Sequence, residues 1–137
     1  MSVSGKVTDR WNLIGGYSHL ESKYVESLNP AQQGTSFTNV PKHSVNAWTT
    51  YGLSDKLEVG GGGRYVDRRL LRSTVATGDV YVPSYHSYDA MASYHLRPTI
   101  GLQVNLYNLT NQLYYDSGRM WVPAAGRALS VTTSVAF

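Results

Sequence analysis

Apolar and polar residues alternate one by one along several stretches of this chain, and the pattern is clearest in residues 126–137. The first set of alternate positions there consists of Leu129, Val131, Thr133, Val135 and Phe137. The positions between them hold Ala128, Ser130, Thr132, Ser134 and Ala136. Because successive side chains of a strand point to opposite faces, this stretch is predicted to be a strand with one mostly apolar face and one small, polar face.

The same alternation predicts five further strands and the end of one more. They cover residues 11–20, 45–53, 57–65, 88–96 and 100–107, and residues 2–7 form the incomplete strand. Short turns at 8–10, 54–56 and 97–98 alternate with long polar connections at 25–41, 67–83 and 112–125. Outer-membrane barrels have the same asymmetry, with short periplasmic turns and longer external loops. The pattern therefore predicts an all-β, antiparallel, up-and-down transmembrane β-barrel.

The distribution of charge supports a lipid-facing side. Within the predicted strands, the apolar positions hold no Asp, Glu, Lys or Arg, and Glu58, Arg64 and Asp89 all fall on the opposite parity. A Lys or Arg on the lipid face near the bilayer midplane costs roughly 2–4 kcal/mol, so such a face should be free of charge.

Aromatic residues of the apolar parity form two sets at opposite ends of the strands. The lower set, at the end where the chain terminates, is Trp11, Tyr51, Tyr94 and Phe137, and the upper set is Tyr17, Tyr65 and Tyr88. At about 3.3 Å per residue and a tilt near 45°, the eight steps from Leu57 to Tyr65 rise roughly 19 Å, against an apolar band of ~25 Å. We predict that the two sets are the aromatic girdles of a membrane barrel.

Composition narrows the class further. The chain has 137 residues, no cysteine and a net charge of +3, which fits one domain without disulfides and without a basic nucleic-acid tail. No apolar run approaches the roughly 18 residues of a membrane helix. Alternation by itself also fits a soluble antiparallel β-sandwich or lipocalin-like ligand-binding module, so this alternative stays open from pattern alone.

Several motifs, taken in their order along the chain, resemble the C-terminal region of TonB-dependent outer-membrane receptors, particularly the ferric-siderophore receptors. The stretches that carry the resemblance are 16–18, 39–44, 48–51, 60–66, 85–94 and 103–115. The most specific is the last, Gln-Val-Asn-Leu-Tyr-Asn-Leu-Thr-Asn-Gln-Leu-Tyr-Tyr, which is similar to the family's Asn-x-x-Asn-Leu-x-(Asp/Asn)-x-x-Tyr segment.

The resemblance implies that residues 1–137 are the C-terminal part of the receptor barrel, the last six to seven strands of a plugged barrel of about 22 strands. The plug domain, the TonB-interacting segment and a signal peptide are not recognised, so a truncated chain or fragment is expected. The implied location is the bacterial outer membrane, with lipid and lipopolysaccharide as surroundings. A ferric siderophore and TonB are implied as partners only of a full-length receptor. No enzymatic activity is expected, because the sequence offers no candidate nucleophile–base pair of a barrel lipase or protease. No cofactor is expected, because the iron is carried within the siderophore.

In such receptors the ligand lies in an outward-facing vestibule, so the resemblance places candidate ligand residues on the external loops and the lumen. The candidates are Arg64, Arg68, Arg69, Arg72, Tyr81, Tyr114, Tyr115, Arg119 and Trp121. The arginines suit an anionic ferric catecholate or hydroxamate, and the aromatic residues suit its rings. The same arginines would also suit lipopolysaccharide phosphates or a solvated rim.

Two further expectations concern single residue types. The four histidines do not repeat at metal-ligand spacing, so no metal site is predicted. The resemblance implies that Phe137, an aromatic residue at the end of an alternating strand, is the signal read by the barrel-assembly machinery.

Overall fold

The computed structural model consists of antiparallel strands that follow the alternation in the sequence. It describes all residues except 30–31, 75–77, 118–120 and 137, and of residues 73, 74 and 117 it describes the backbone only. The strands are β1 Ser2–Thr8, β2 Trp11–His19, β3 His43–Gly52, β4 Leu57–Val66, β5 Arg69–Thr74, β6 Gly78–Val82, β7 Tyr85–Arg97, β8 Ile100–Tyr107, β9 Tyr115–Ser117, β10 Val122–Pro123 and β11 Ala128–Val135.

Seven strands form one sheet in the order β1-β2-β3-β4-β7-β8-β11, and every neighbouring pair is antiparallel. This arrangement confirms the predicted all-β, up-and-down fold and the predicted number of strands. Within the described chain the sheet remains open, with β1 and β11 as its two edges. No helix in the described ranges is long and apolar enough to cross a membrane.

The register of the strands collects the predicted apolar positions on one side of the sheet. One cross-strand row runs through Trp11, Tyr51, Val59, Ala92, Val104 and Val131. The adjacent row, which points to the other side, runs through Asn12, Thr50, Gly60, Met91, Asn105 and Ser130. We call the first side the apolar face and the second the polar face. A shift of one residue between any two strands would have mixed the two sets, so the alternation and the register support each other.

The charged residues of the sheet follow the same division, with the exception of Arg97. Lys6, Glu58, Arg64 and Asp89 are paired in the register of the polar face. Arg97 differs from the prediction, because it ends β7 rather than lying in the turn. It pairs with Ile100 after a β-bulge at the short-turn end of the sheet.

Two glycines of β4 allow aromatic rings to lie directly on the backbone. A Cβ at Gly62 would come within 2.2 Å of the Ala47 carbonyl oxygen and 2.7 Å of the Trp48 ring on the polar face. A Cβ at Gly63 would come within 2.7 Å of the Tyr88 ring on the apolar face. The glycine run is therefore explained by close approach of neighbouring side chains within a strand.

The long connections contain more structure than the sequence pattern predicts. Residues 67–83 were expected to form a polar loop, but β5 and β6 pair there as a hairpin. β7 begins at Tyr85, three residues before the predicted start, and β9 and β10 pair within the third connection. The hairpin forms because Leu70 and Val82 become buried, with exposed fractions of 4% and 0%.

The buried apolar residues of the described chain lie at the end of the sheet that carries the long connections. They are Leu70, Val82, Tyr85 and Tyr114. Along the sheet itself, Leu129 and Val131 remain 64% and 58% exposed on the apolar face. A soluble sandwich would cover such a face with a second packed sheet. In the described residues the other sheets are only the two short hairpins, so the soluble-sandwich alternative does not fit.

Candidate ligand-binding site

The candidate site lies on the polar face, at the end of the sheet where the three long connections meet. Arg64 near the end of β4 pairs in register with Ser87 near the start of β7. The alternation of these two strands therefore directs both side chains to the same side, beneath the connection that leads from β8 to β11.

Arg64 is held by aromatic and acidic groups from three parts of the chain. Its Nη2 donates a hydrogen bond to the Tyr114 hydroxyl at 2.9 Å and lies 3.6 Å from Oδ1 of Asp116. The guanidinium carbon is 5.4 Å from the Tyr85 ring centroid and 5.5 Å from that of Tyr114. These distances allow cation–π attraction to both rings. Of the Arg64 side chain, 44% remains exposed.

The two tyrosines form a rigid wall beside this cation. Tyr85 and Tyr114 stack with ring centroids 4.2 Å apart and planes inclined by 14°. The Tyr85 hydroxyl donates to Oδ1 of Asp116 at 3.1 Å. Because Asp116 also faces Arg64, the carboxylate links the wall and the cation into one network.

A cavity of about 380 Å³ opens next to this network. Its lining includes Arg64, Asp89, Asn108 and Tyr114, together with residues 124–126. The site thus combines a half-exposed guanidinium, carboxylate oxygens and an aromatic wall. Such groups can bind an anionic or aromatic ligand through charge-assisted hydrogen bonds and stacking.

Asn108 holds the connection that covers the cavity. Its exposed fraction is 2% and its backbone has φ +50°, a left-handed conformation that asparagine tolerates. The side-chain Nδ2 donates to the carbonyls of Gln112 at 3.0 Å and Ala125 at 3.2 Å, and Oδ1 accepts from the Gln112 amide at 3.0 Å. The Asn108 amide donates to Oδ1 of Asp89 at 2.8 Å. The Asn108 side chain therefore joins the two arms of the connection to each other, and its backbone amide ties them to the sheet.

Arg69, another predicted ligand residue, is buried, with an exposed fraction of 5%. Its Nη1 donates to the Asp116 carbonyl at 2.7 Å, and its Nη2 donates to the Tyr115 carbonyl. Its guanidinium carbon is 5.8 Å from the Tyr85 ring centroid. In this structure Arg69 fastens the β5–β6 hairpin to the β9 segment.

The remaining candidates lie farther out on the loops. Arg68 lies over the Tyr81 ring with its guanidinium carbon 4.8 Å from the centroid, and Arg72 is exposed on the same hairpin. Tyr115 and Trp121 meet edge to face with centroids 5.0 Å apart. The structure thus brings the side chains of Arg64, Arg69 and Tyr114 together and leaves the side chains of these other five candidates outside that cluster. A ligand role stays a prediction for all of them.

Two predicted residues, Arg119 and Phe137, lie outside the described residues. The other girdle residues are all exposed on the apolar face. Trp11 and Tyr51 are direct cross-strand partners near the short turns, while Tyr17 and Tyr65 share the partner Val45 near the long connections. The register therefore gives two aromatic rows, and their contact with lipid stays a prediction.

Sequence reasoning did not single out Tyr85, Asn108 and Asp116 as site residues. Tyr85 and Asn108 lie within the stretches that carry the family resemblance, which was the available signal. Asp116 has no such signal, because its role depends on the folding of the connection between β8 and β11 over Arg64.

Comparison with known proteins places this fold in a family. The family described as "TonB dependent receptor-like, beta-barrel" matches residues 1–109. The probable TonB-dependent siderophore receptor PiuA of Acinetobacter baumannii is 33% identical over 129 residues, covering 84% of this chain and 16% of its own length. The catecholate siderophore receptor Fiu of Escherichia coli is 29% identical over 143 residues, covering 100% of this chain and 19% of its own length.

Crystal structures of the same two receptors have the same arrangement of strands. The PiuA structure superposes with a TM-score of 0.79 at 32% identity, covering 96% of this chain and 20% of the receptor. The closed form of the ferric-catecholate import receptor Fiu superposes with a TM-score of 0.81 at 30% identity, covering 96% of this chain and 19% of the Fiu chain. The chain therefore spans less than a fifth of the length of the curated relatives it matches.

Proposed function

Because this chain belongs to the TonB-dependent receptor β-barrel family, we propose that it forms the C-terminal part of the barrel of a bacterial outer-membrane receptor that takes up a ferric siderophore. In that barrel β1 and β11 pair with further strands, because lipid cannot satisfy the backbone groups of a sheet edge. The receptor carries its ligand across the membrane with energy delivered through TonB and catalyses no reaction.

The membrane placement rests on the two faces of the sheet. The apolar face meets hydrocarbon between two aromatic rows, and the polar face lines a wet lumen. Lipopolysaccharide surrounds the long-connection end, and the barrel-assembly machinery reads the C-terminal strand that ends in Phe137. The support is the register, which keeps the paired Lys6, Glu58, Arg64 and Asp89 off the apolar face.

The proposed ligand is an anionic ferric catecholate, and the observation that carries this choice is the environment of Arg64. Its guanidinium is half exposed at the loop end of the lumen and lies beside the stacked rings of Tyr85 and Tyr114. A catecholate offers negative oxygens to the guanidinium and flat rings to the tyrosine wall. The iron stays within the ligand as cargo.

The proposal is tested by ligand binding to the intact receptor that contains this chain, in detergent, with wild type compared with R64Q. A charge-assisted hydrogen bond contributes about 1.5–3 kcal/mol, so R64Q should weaken binding of a ferric tris-catecholate roughly 10- to 150-fold. R64K keeps the charge without the planar fork and should restore part of the loss. An uncharged ferric trihydroxamate should bind more weakly than the catecholate.

The matched control is K56Q, which removes a cation from the exposed turn between β3 and β4. It should bind the catecholate within twofold of wild type. If R64Q binds the catecholate as tightly as wild type and K56Q do, the ligand does not use this site and the proposal fails.

A further inference from the structure

Two histidines meet at the long-connection end of the apolar face, away from the ligand site. His19 at the end of β2 and His43 at the start of β3 are direct cross-strand partners, although 24 positions separate them in the sequence. Their ring centroids are 4.6 Å apart, and their Nδ1 atoms are 3.2 Å apart. Side chains paired in this way across an antiparallel ladder point to the same side.

The separation of the two nitrogens suits coordination of one metal ion. Imidazole nitrogens bind Zn²⁺ at about 2.0–2.1 Å. Two nitrogens at that distance from the metal and 3.2 Å from each other subtend an angle of roughly 100° at the ion. This angle lies between those of octahedral and tetrahedral coordination, so the spacing of the two nitrogens fits either geometry.

A third possible donor atom, the Tyr17 hydroxyl oxygen, lies beside the two nitrogens, and the charges around the pair are balanced. The Tyr17 hydroxyl lies 2.9 Å from Nδ1 of His43. Lys42, the neighbouring cation, is paired with Oε1 of Glu21 at 2.7 Å, and the same oxygen lies 3.8 Å from Nε2 of His19. The carboxylate thus offsets the positive charge that would otherwise repel a metal ion.

The coordination offered by the protein is incomplete. Among the described residues, no group of three or more His, Cys, Asp or Glu side chains is arranged so that it could hold a metal ion. The His19 side chain is 43% exposed, so solvent reaches the pair. A site with two imidazoles and open positions suits borderline ions such as Zn²⁺ or Cu²⁺, with water as the remaining ligands.

We propose that His19 and His43 together bind a divalent transition-metal ion, Zn²⁺ or Cu²⁺, through their Nδ1 atoms, with the Tyr17 hydroxyl beside the ion. With the ion bound, each neutral ring carries its single proton on Nε2, so that both Nδ1 lone pairs are free for the metal and the pair neither gains nor loses a proton. The site lies on the opposite face of the sheet from Arg64. It is therefore separate from the cargo site and does not depend on which ligand the receptor carries.

The test is a Zn²⁺ titration by calorimetry on the intact, tag-free receptor that contains this chain, in detergent. The variants are H19Q and H43Q, and the matched control is H86Q, which removes an exposed histidine from the same face on β7. Wild type and H86Q should bind Zn²⁺ with the same affinity, and H19Q and H43Q should each bind it about tenfold more weakly or worse. The electron paramagnetic resonance spectrum of Cu²⁺ bound to wild type should show hyperfine coupling to two imidazole nitrogens. The spectrum of either variant should show coupling to only one.

A loss of threefold or more in both variants, with H86Q unchanged, supports the site. A loss below threefold in either variant overturns it, and so does a Cu²⁺ spectrum that the substitutions leave unchanged. Glutamine keeps a polar side chain of similar size at both positions, and a thermal unfolding midpoint in detergent that matches wild type shows that each variant is folded.

Discussion

Replacement of Asn108 should loosen the connection that covers the ligand site while leaving the sheet intact. In N108G the left-handed backbone remains favourable, because glycine adopts φ +50° without strain. The substitution removes only the side chain, which makes three hydrogen bonds at 2% exposure. At about 0.5–1.5 kcal/mol each, their loss lowers the local free energy of opening by roughly 1.5–4.5 kcal/mol.

N108A loses the same three hydrogen bonds and also strains the backbone. An alanine must adopt the left-handed conformation with a Cβ, which costs roughly a further 1–2 kcal/mol. The difference between the two variants therefore separates the backbone strain from the hydrogen bonds. N111G is the control, since Asn111 also has positive φ, at 51°, but is exposed and accepts one hydrogen bond, from the Arg127 amide at 2.9 Å.

The assay is amide hydrogen exchange on the intact receptor in detergent. The Gln112 amide donates to Oδ1 of Asn108, so its protection should fall between about tenfold and a thousandfold in N108G, and further in N108A. In N111G its protection should change by less than threefold. If N108G exchanges at Gln112 within threefold of wild type, the side chain does not hold the connection and the reasoning is wrong.

Two further predictions concern the sheet and one loop. G62A should lower the free energy of unfolding by about 1–3 kcal/mol in a denaturant titration, because its Cβ would come within 2.2 Å of the Ala47 carbonyl oxygen. In the control G61A, the added Cβ has its nearest neighbour atom at 3.5 Å, so the free energy of unfolding should change by less than about 0.5 kcal/mol. If G62A and G61A lowered the free energy of unfolding equally, the packing explanation would be contradicted. The Lys42 ammonium holds the pKa of Glu21 below its usual 4.5, and Glu21 holds the pKa of Lys42 above its usual 10.5. The Leu20 amide donates a hydrogen bond to the Lys42 carbonyl, so its protection from exchange reports on this pair. Protection should be constant between pH 4.5 and 10.5, and it should fall as the pH drops through the lowered pKa of Glu21 or rises through the raised pKa of Lys42. A loss of protection near pH 6.5 would refute this pairing.

The sheet could be predicted from the sequence because its two faces carry different types of residue. A period of two fixes which side chains share a face, and complementary faces then determine the register. Pairs such as Val104 with Val131 follow from this rule. The short turns could be predicted as well, because a few polar residues interrupt the alternation between β1 and β2, between β3 and β4, and between β7 and β8.

The site could be predicted only in part, because its geometry depends on the loops. Arg64 lies in a regular strand, so its face was predictable from parity. The burial of Arg69 and Tyr114 depends on how the β5–β6 hairpin and the β8–β11 connection fold over each other. No local period encodes such contacts. The pairing of His19 with His43 was hidden for the same reason, because the polar connection between β2 and β3 separates them in the chain.

The placement of the apolar face in lipid is tested most directly by nitroxide labels on β8 and β11 of the intact receptor in bilayers. Labels at Leu102, Val104 and Val131 should collide often with oxygen, which concentrates in hydrocarbon, and rarely with a water-soluble nickel chelate. Labels at Gln103 and Thr132 should show the reverse, because these residues lie on the polar face. If the five labels show equal accessibility, or if Gln103 and Thr132 are the lipid-exposed pair, the proposed orientation of the sheet is wrong.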